Sequence, residues 1–146
     1  MSLESTPAAG GQALRPSVFV WPLRVWVVMA VLAVANGVLR ETVLIPRVGE
    51  YPGHVLSTVL LVAAILAVSG AYFLTTASAY TDLELAAVGV AWTLLTVGFE
   101  FLVGYAEGTP VSVTLGQYDV FAGQVWILVP VTLLVAPYLF GRVLSA

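Results

Sequence analysis

Apolar residues fall into four long runs, and polar residues collect where the runs end. No charged residue occurs between Val25 and Leu39, and further apolar runs follow at 55–75, at 83–105, which holds Glu84 and Glu100, and at 125–144, which holds Arg142. At about 1.5 Å per residue, roughly twenty such residues cross a hydrocarbon layer of about 30 Å. With the first run extended to 18–43, the pattern predicts an all-α protein, a four-transmembrane-helix bundle with short loops. Residues 1–17 are small and polar with no apolar face, so they are expected to form a mobile N-terminal tail ahead of one membrane domain, 18–146. A signal-peptide reading of Arg24 and the Ala33-Val-Ala35 triplet is outweighed by the long leading segment with Glu4.

Turn signals divide the runs. Pro46, Gly49, Pro52 and Gly53 predict a short loop, and Thr81 or Asp82 is placed to cap the third helix, with Asp82 and Glu84 near its positive end. Ala63, Ala67 and Ala71 recur every four residues, as do Ala87 and Ala91, which predicts close helix packing along those stripes. The connection 106–124 mixes glycine and proline with apolar residues. It is expected to lie partly in the interface, with a half-helix around 111–121. Trp21 and Trp26 near the start of the first run read as interfacial anchors, and Trp126 begins the last run. Pro130 and Pro137 predict kinks in the last run.

Composition narrows the classes. Apolar residues make up 60% of the 146 and charged residues 9%, against about 25% charged in soluble domains, so the surface requires lipid. Lysine is absent and the net charge is -3, which leaves nucleic-acid binding without an electrostatic basis. The absence of cysteine removes disulfides and thiolate chemistry. No G-x-S-x-G, Walker or H-E-x-x-H sequence is present, so the chain leans away from enzymes, and neither metal nor cofactor is expected.

Threading four spans in order brings the late turns of the first and third to the same side as the early turns of the second and fourth. Asn36, Arg40, Glu41, His54, Glu100, Tyr118, Asp119 and Gln124 then gather at one end, while the opposite end reads as almost featureless. Ionisable residues at membrane depth face protein, water or a ligand, since lipid gives them no partner. Glu100, between Phe99 and Phe101, is expected either to pair with Arg40 and tie two helices together or to serve as a proton- or cation-binding carboxylate. Arg15, Arg24 and Arg142 stand against Arg40 and Arg47, which places the termini in the cytoplasm by a narrow margin.

Arg40-Glu41, then Pro46-Arg47-x-Gly49-Glu50, Phe99-Glu100-Phe101 with Gly104, Tyr118-Asp119, Gly123-Gln124-x-Trp126 and Ala136-Pro137 resemble a group of small uncharacterised four-span prokaryotic membrane proteins. The likeness covers about residues 30 to 140, and Gln124 stands where the group's pattern leads one to expect arginine. It implies the architecture and a prokaryotic cell membrane, and it lends no activity. The expected function is a small transport or channel-like protein with a one-sided polar vestibule, in contact with the lipid bilayer and forming a homo-oligomer or part of a larger membrane complex. The alternative is a structural or accessory subunit in which an Arg-Glu pair ties helices together.

Overall fold

One residue separates the first two helices. A computed structural model describes residues 14–119 and 123–144. Helix α1 runs Pro16–Val48 and α2 runs Glu50–Ala79, with only Gly49 between them, at φ 98° and ψ 170°. That conformation is open to glycine alone. The chain doubles back so tightly that a Cβ on Gly53 would lie 2.8 Å from Cγ1 of Ile45. The short loop expected from four turn residues is therefore a hinge. Pro52 lies in the first turn of α2, where its missing N–H leaves no bond unmade. Pro46 follows a wide π turn, Arg40–Leu44, which takes up the clash its ring would cause in an ordinary helix. The other end of α1 also differs from expectation: helical structure starts at Pro16, inside the segment read as tail, whose first thirteen residues lie outside the described ones.

Helix α3, Asp82–Ala106, begins with a capping box. The Glu84 N–H donates to the Thr81 hydroxyl (3.1 Å), and the Thr81 N–H donates back to the Glu84 carboxylate (2.9 Å). A short helix α4, Val111–Gly116, packs on the end of α3. There a Cβ on Gly104 would come within 3.1 Å of the Thr114 hydroxyl oxygen. Part of the half-helix expected around 111–121 lies outside the described residues. Helix α5, Leu128–Val143, is formed by 11 residues of α-helix and 5 of π turn. It is shorter than the run 125–144 predicts, because the chain around Trp126 is still in turns and Pro130 falls in the first turn of the helix. At about 24 Å, α5 falls short of the hydrocarbon thickness.

Among the described residues the protein is all-helical, and three helices, α1, α2 and α3, are long and apolar enough to cross a membrane. Helix α5 packs against both α2 and α3, α1 packs on α2, and α1 touches α3 only sparingly. Trp92, Phe73, Leu85, Ile65 and Leu133 fill the centre, and the Trp92 indole donates to the Pro22 carbonyl (2.9 Å). The stripe on α2 does not make the close approaches: Ala63, Ala67 and Ala71 are exposed, whereas Ala87 and Ala91 on α3 are half-buried. Backbones meet instead at Gly89, where a Cβ would lie 2.1 Å from the Leu134 carbonyl oxygen, while Gly141 and Gly70 make room for the side chains of Leu85 and Phe140. A stripe of small residues permits contact, but the bulkier residues beside it decide which face turns inward. Outward-facing Val27, Val31, Val59, Leu94 and Leu102 leave an apolar exterior suited to lipid, as expected of a membrane protein.

The end that carries both described chain ends is not featureless. Arg15 grips Glu84, which is fully buried, through Nε (2.9 Å) and Nη2 (2.7 Å), and also reaches the Ala79 carbonyl. Arg142 pairs with Asp82 (2.6 Å) and donates to the carbonyls of Tyr80 and Ala77. Both guanidiniums cover carbonyls at the end of α2, where a cation is favoured. Tyr72 and Tyr80 share a hydrogen bond beside them. Burial first, and that bond second, push the Tyr80 phenol above its ordinary range.

Candidate functional site

At the Gly49 end the π turn presents Arg40 and Glu41 side by side. Inserted wide turns of this kind recur where a helix must redirect functional side chains. The Arg40 Nε donates to Glu41 (3.2 Å), Nη1 makes a long contact with the Ser57 hydroxyl oxygen (3.5 Å), and the guanidinium carbon stands 5.9 Å from the Trp126 ring centre. Ser57 itself donates to the His54 carbonyl (3.0 Å), so its hydroxyl links the start of α2 to Arg40. Glu41 keeps most of its side chain exposed (64%), whereas Arg40 is largely covered (22%).

Glu100 has other partners. Trp126 donates its indole N–H to Oε2 (2.8 Å), and the Tyr118 hydroxyl donates to Oε1. Both donors come from the connection between α3 and α5, so the carboxylate holds that connection against α3. Burial, and then this bond to Glu100, raise the Tyr118 phenol above its ordinary range, which keeps it protonated as a donor. The expected Arg40–Glu100 ion pair is not formed; Arg40 pairs with its neighbour Glu41. The physical reason is reach. The adjacent carboxylate lies within hydrogen-bond distance, while Glu100 is already claimed by two donors.

Two cavities meet at this end. The larger, about 670 Å³, lies between α1 and α3, with Leu61 and Ile65 of α2 and Leu133 of α5 behind it. Trp26 and Thr96 mark its deep end, where the indole donates to the hydroxyl (2.9 Å) and joins the two walls. Met29, Ala33, Phe99 and Val103 make the trunk apolar, and Arg40, Glu41, Glu107, Thr109 and Gln117 make the mouth polar. The smaller cavity, about 410 Å³, is bounded by Glu50, Tyr51, His54 and Gln124. Arg40, Glu41, Gln117 and Trp126 line both.

The structure thus brings Arg40, Glu41, Glu100, His54, Tyr118 and Gln124 to one place. His54 lies against Trp126 with ring centres 5.7 Å apart and planes tilted by 38°, and its Nε2 is buried with no hydrogen-bond partner among the described residues. Asn36 is buried beneath the mouth, lines neither cavity, and its Nδ2 likewise lacks a described partner. Asp119 is exposed, outside both linings, and its carbonyl accepts from the Gln124 N–H (3.2 Å). Sequence reasoning missed Trp126 as a hub, together with Tyr51, Glu107 and Gln117. The hydroxyl of Tyr51 donates to the Gly123 carbonyl (2.7 Å) and pins the start of α2 to the loop before α5.

The fold and the site define a helical membrane protein with a polar, hollow end continued by an apolar cleft. No family model, curated protein or solved structure matches the chain, so its functional reading rests on this geometry.

Proposed function

We propose that the chain is a four-span transport protein of a prokaryotic cell membrane, with α5 as a short fourth span, both termini cytoplasmic, and the Arg40 end open to the outer side. Its mode is that of a carrier that loads cargo in the vestibule. The observation that carries this reading is the joining of the two cavities at Arg40, Glu41, Gln117 and Trp126. Each of the two, at about 670 and 410 Å³, falls by itself within the range of roughly 300–1,000 Å³ of ligand sites. A purely structural cluster is expected to close over its charges instead.

Purified protein reconstituted in liposomes tests the proposal. Exchange across the bilayer is followed for protons, alkali cations and fluorescent phospholipids, with protein-free liposomes as the baseline. Faster movement of one class, reduced by Arg40→Gln, is expected. Movement at the baseline rate for all three overturns the carrier reading.

A second reading, a structural or accessory subunit, is favoured by one observation: Glu100 has its carboxylate engaged by two donors from a single loop. In that reading Glu100 and Arg40 stabilise the bundle and any cargo movement is indifferent to them.

A further inference from the structure

The cleft between α1 and α3 is short in a telling way. From Trp26 to Gly37 along α1, both in its lining, the rise is about 16 Å, and Thr96 on α3 to Glu107, the residue just past its end, gives about the same. One leaflet of a bilayer is about 15 Å deep, half of the hydrocarbon core. The Trp26–Thr96 bond closes the cleft at that depth. Above it the walls as far as Gly37 and Gly104 are apolar apart from Glu100, whose carboxylate is engaged by Trp126 and Tyr118, and the remaining polar groups gather at the mouth.

The charges at the mouth are unequal. Among the described residues Arg40 is the single cation of the lining, which also holds three carboxylates, those of Glu41, Glu100 and Glu107. Trp126 and Tyr118 satisfy Glu100, and Glu41 takes one N–H of Arg40. Glu107 is exposed and in no ion pair among the described residues. The mouth therefore offers guanidinium N–H groups to an anion and, a few residues away, an uncompensated negative charge.

We infer that this cleft is a site for a phospholipid with a primary amine in its headgroup. One acyl chain lies between α1 and α3 down to Trp26, the phosphate meets Arg40, and the ammonium group turns toward Glu107 and the outer oxygens of Glu41. An anionic headgroup of the same chain length satisfies Arg40 but leaves Glu107 facing negative charge. The inference rests on the reading of the vestibule as a binding site, and it names the class of cargo.

The test is retention of lipid by the purified full chain. Protein in mild detergent is equilibrated with equal amounts of phosphatidylethanolamine and phosphatidylglycerol of matched chains, and bound lipid is counted by native mass spectrometry. One phosphatidylethanolamine per chain is expected, preferred by about fivefold, as one partly exposed ion pair supplies. Glu107→Gln, at an exposed position, should abolish the preference while leaving lipid bound. Val34→Trp, which fills the cleft from an exposed wall position, should remove the lipid itself. Free phosphoethanolamine in excess should not compete, since it has no chain for the cleft.

Equal retention of both lipids, or wild-type retention by Val34→Trp, overturns the inference, as does displacement by free phosphoethanolamine. Lipid flux in liposomes separates the two readings. Selective retention without any cargo movement leaves the site standing and sinks the carrier. Ion movement without lipid retention does the reverse.

Discussion

Trp126 donates its indole N–H to Glu100 at 2.8 Å while its ring faces the Arg40 guanidinium on another side. One side chain from the lead-in to α5 thus meets both Glu100 and Arg40, and it does so from a buried position, 8% exposed. Trp126→Phe keeps most of the ring and removes the donor. A hydrogen bond is worth about 0.5–1.5 kcal/mol net, and thermal unfolding in detergent should register a loss of at least that size. Glu100→Gln should cost less, since an amide oxygen still accepts from one donor.

The Gly49 hinge makes a second prediction. Its φ of 98° with ψ of 170° is backbone that an L side chain occupies only under strain, at roughly 1–3 kcal/mol. Gly49→Ala should lower the unfolding temperature even though the nearest atom to a new Cβ, in the Pro52 ring, is 3.9 Å away. An unchanged melting curve would show that the hinge tolerates another geometry.

Gly89 and Gly98 lie in the same helix and should respond in opposite directions. A Cβ at Gly89 would overlap the Leu134 carbonyl oxygen at 2.1 Å, whereas one at Gly98 meets nothing within 4 Å. Gly89→Ala should drive α3 and α5 apart at a cost of about 1–3 kcal/mol or more. Gly98→Ala should stabilise by about 0.4–1 kcal/mol through the unfolded chain. Size-exclusion profiles and melting curves of the two variants, compared side by side, check both.

At the opposite end, Arg15→Ala should strand the buried Glu84 carboxylate. Arg15 is half exposed (50%) and Glu84 is fully covered (0%), so the loss is dominated by the carboxylate left behind, on the order of 1–3 kcal/mol. Glu84→Gln keeps an acceptor for the Thr81 N–H and should cost less. The double variant should be no worse than Arg15→Ala alone, and additive losses would contradict a direct coupling.

These sites differ in how far the sequence exposed them. The long apolar runs were legible because nothing but lipid or a protein core accepts so many consecutive apolar residues. Thr81 with Glu84 was legible as a helix start for local reasons, but the same glutamate's pairing with Arg15 was not, since it spans 69 residues. The loop at Pro46 to Gly53 misled because proline signals a break only inside a helix; in a first turn, or after a wide turn, it fits. The clustering of Arg40, Glu41 and Glu100 followed from threading the spans in order. The partner of Glu100 did not follow, because a tryptophan at the start of an apolar run reads first as an interfacial anchor, and only the packed structure turns Trp126 inward.

The one-residue hinge leaves α1 and α2 no loop by which to enter a bilayer separately, so they must insert as a single hairpin. In the orientation proposed above, its tip carries Arg40, Glu41, Arg47 and Glu50 through the membrane together. Two positive charges travel with two negative ones, so the membrane voltage does no net electrical work on the tip as it crosses. Substituting either glutamate would make insertion sensitive to that voltage, a property of biogenesis set by a turn of one glycine.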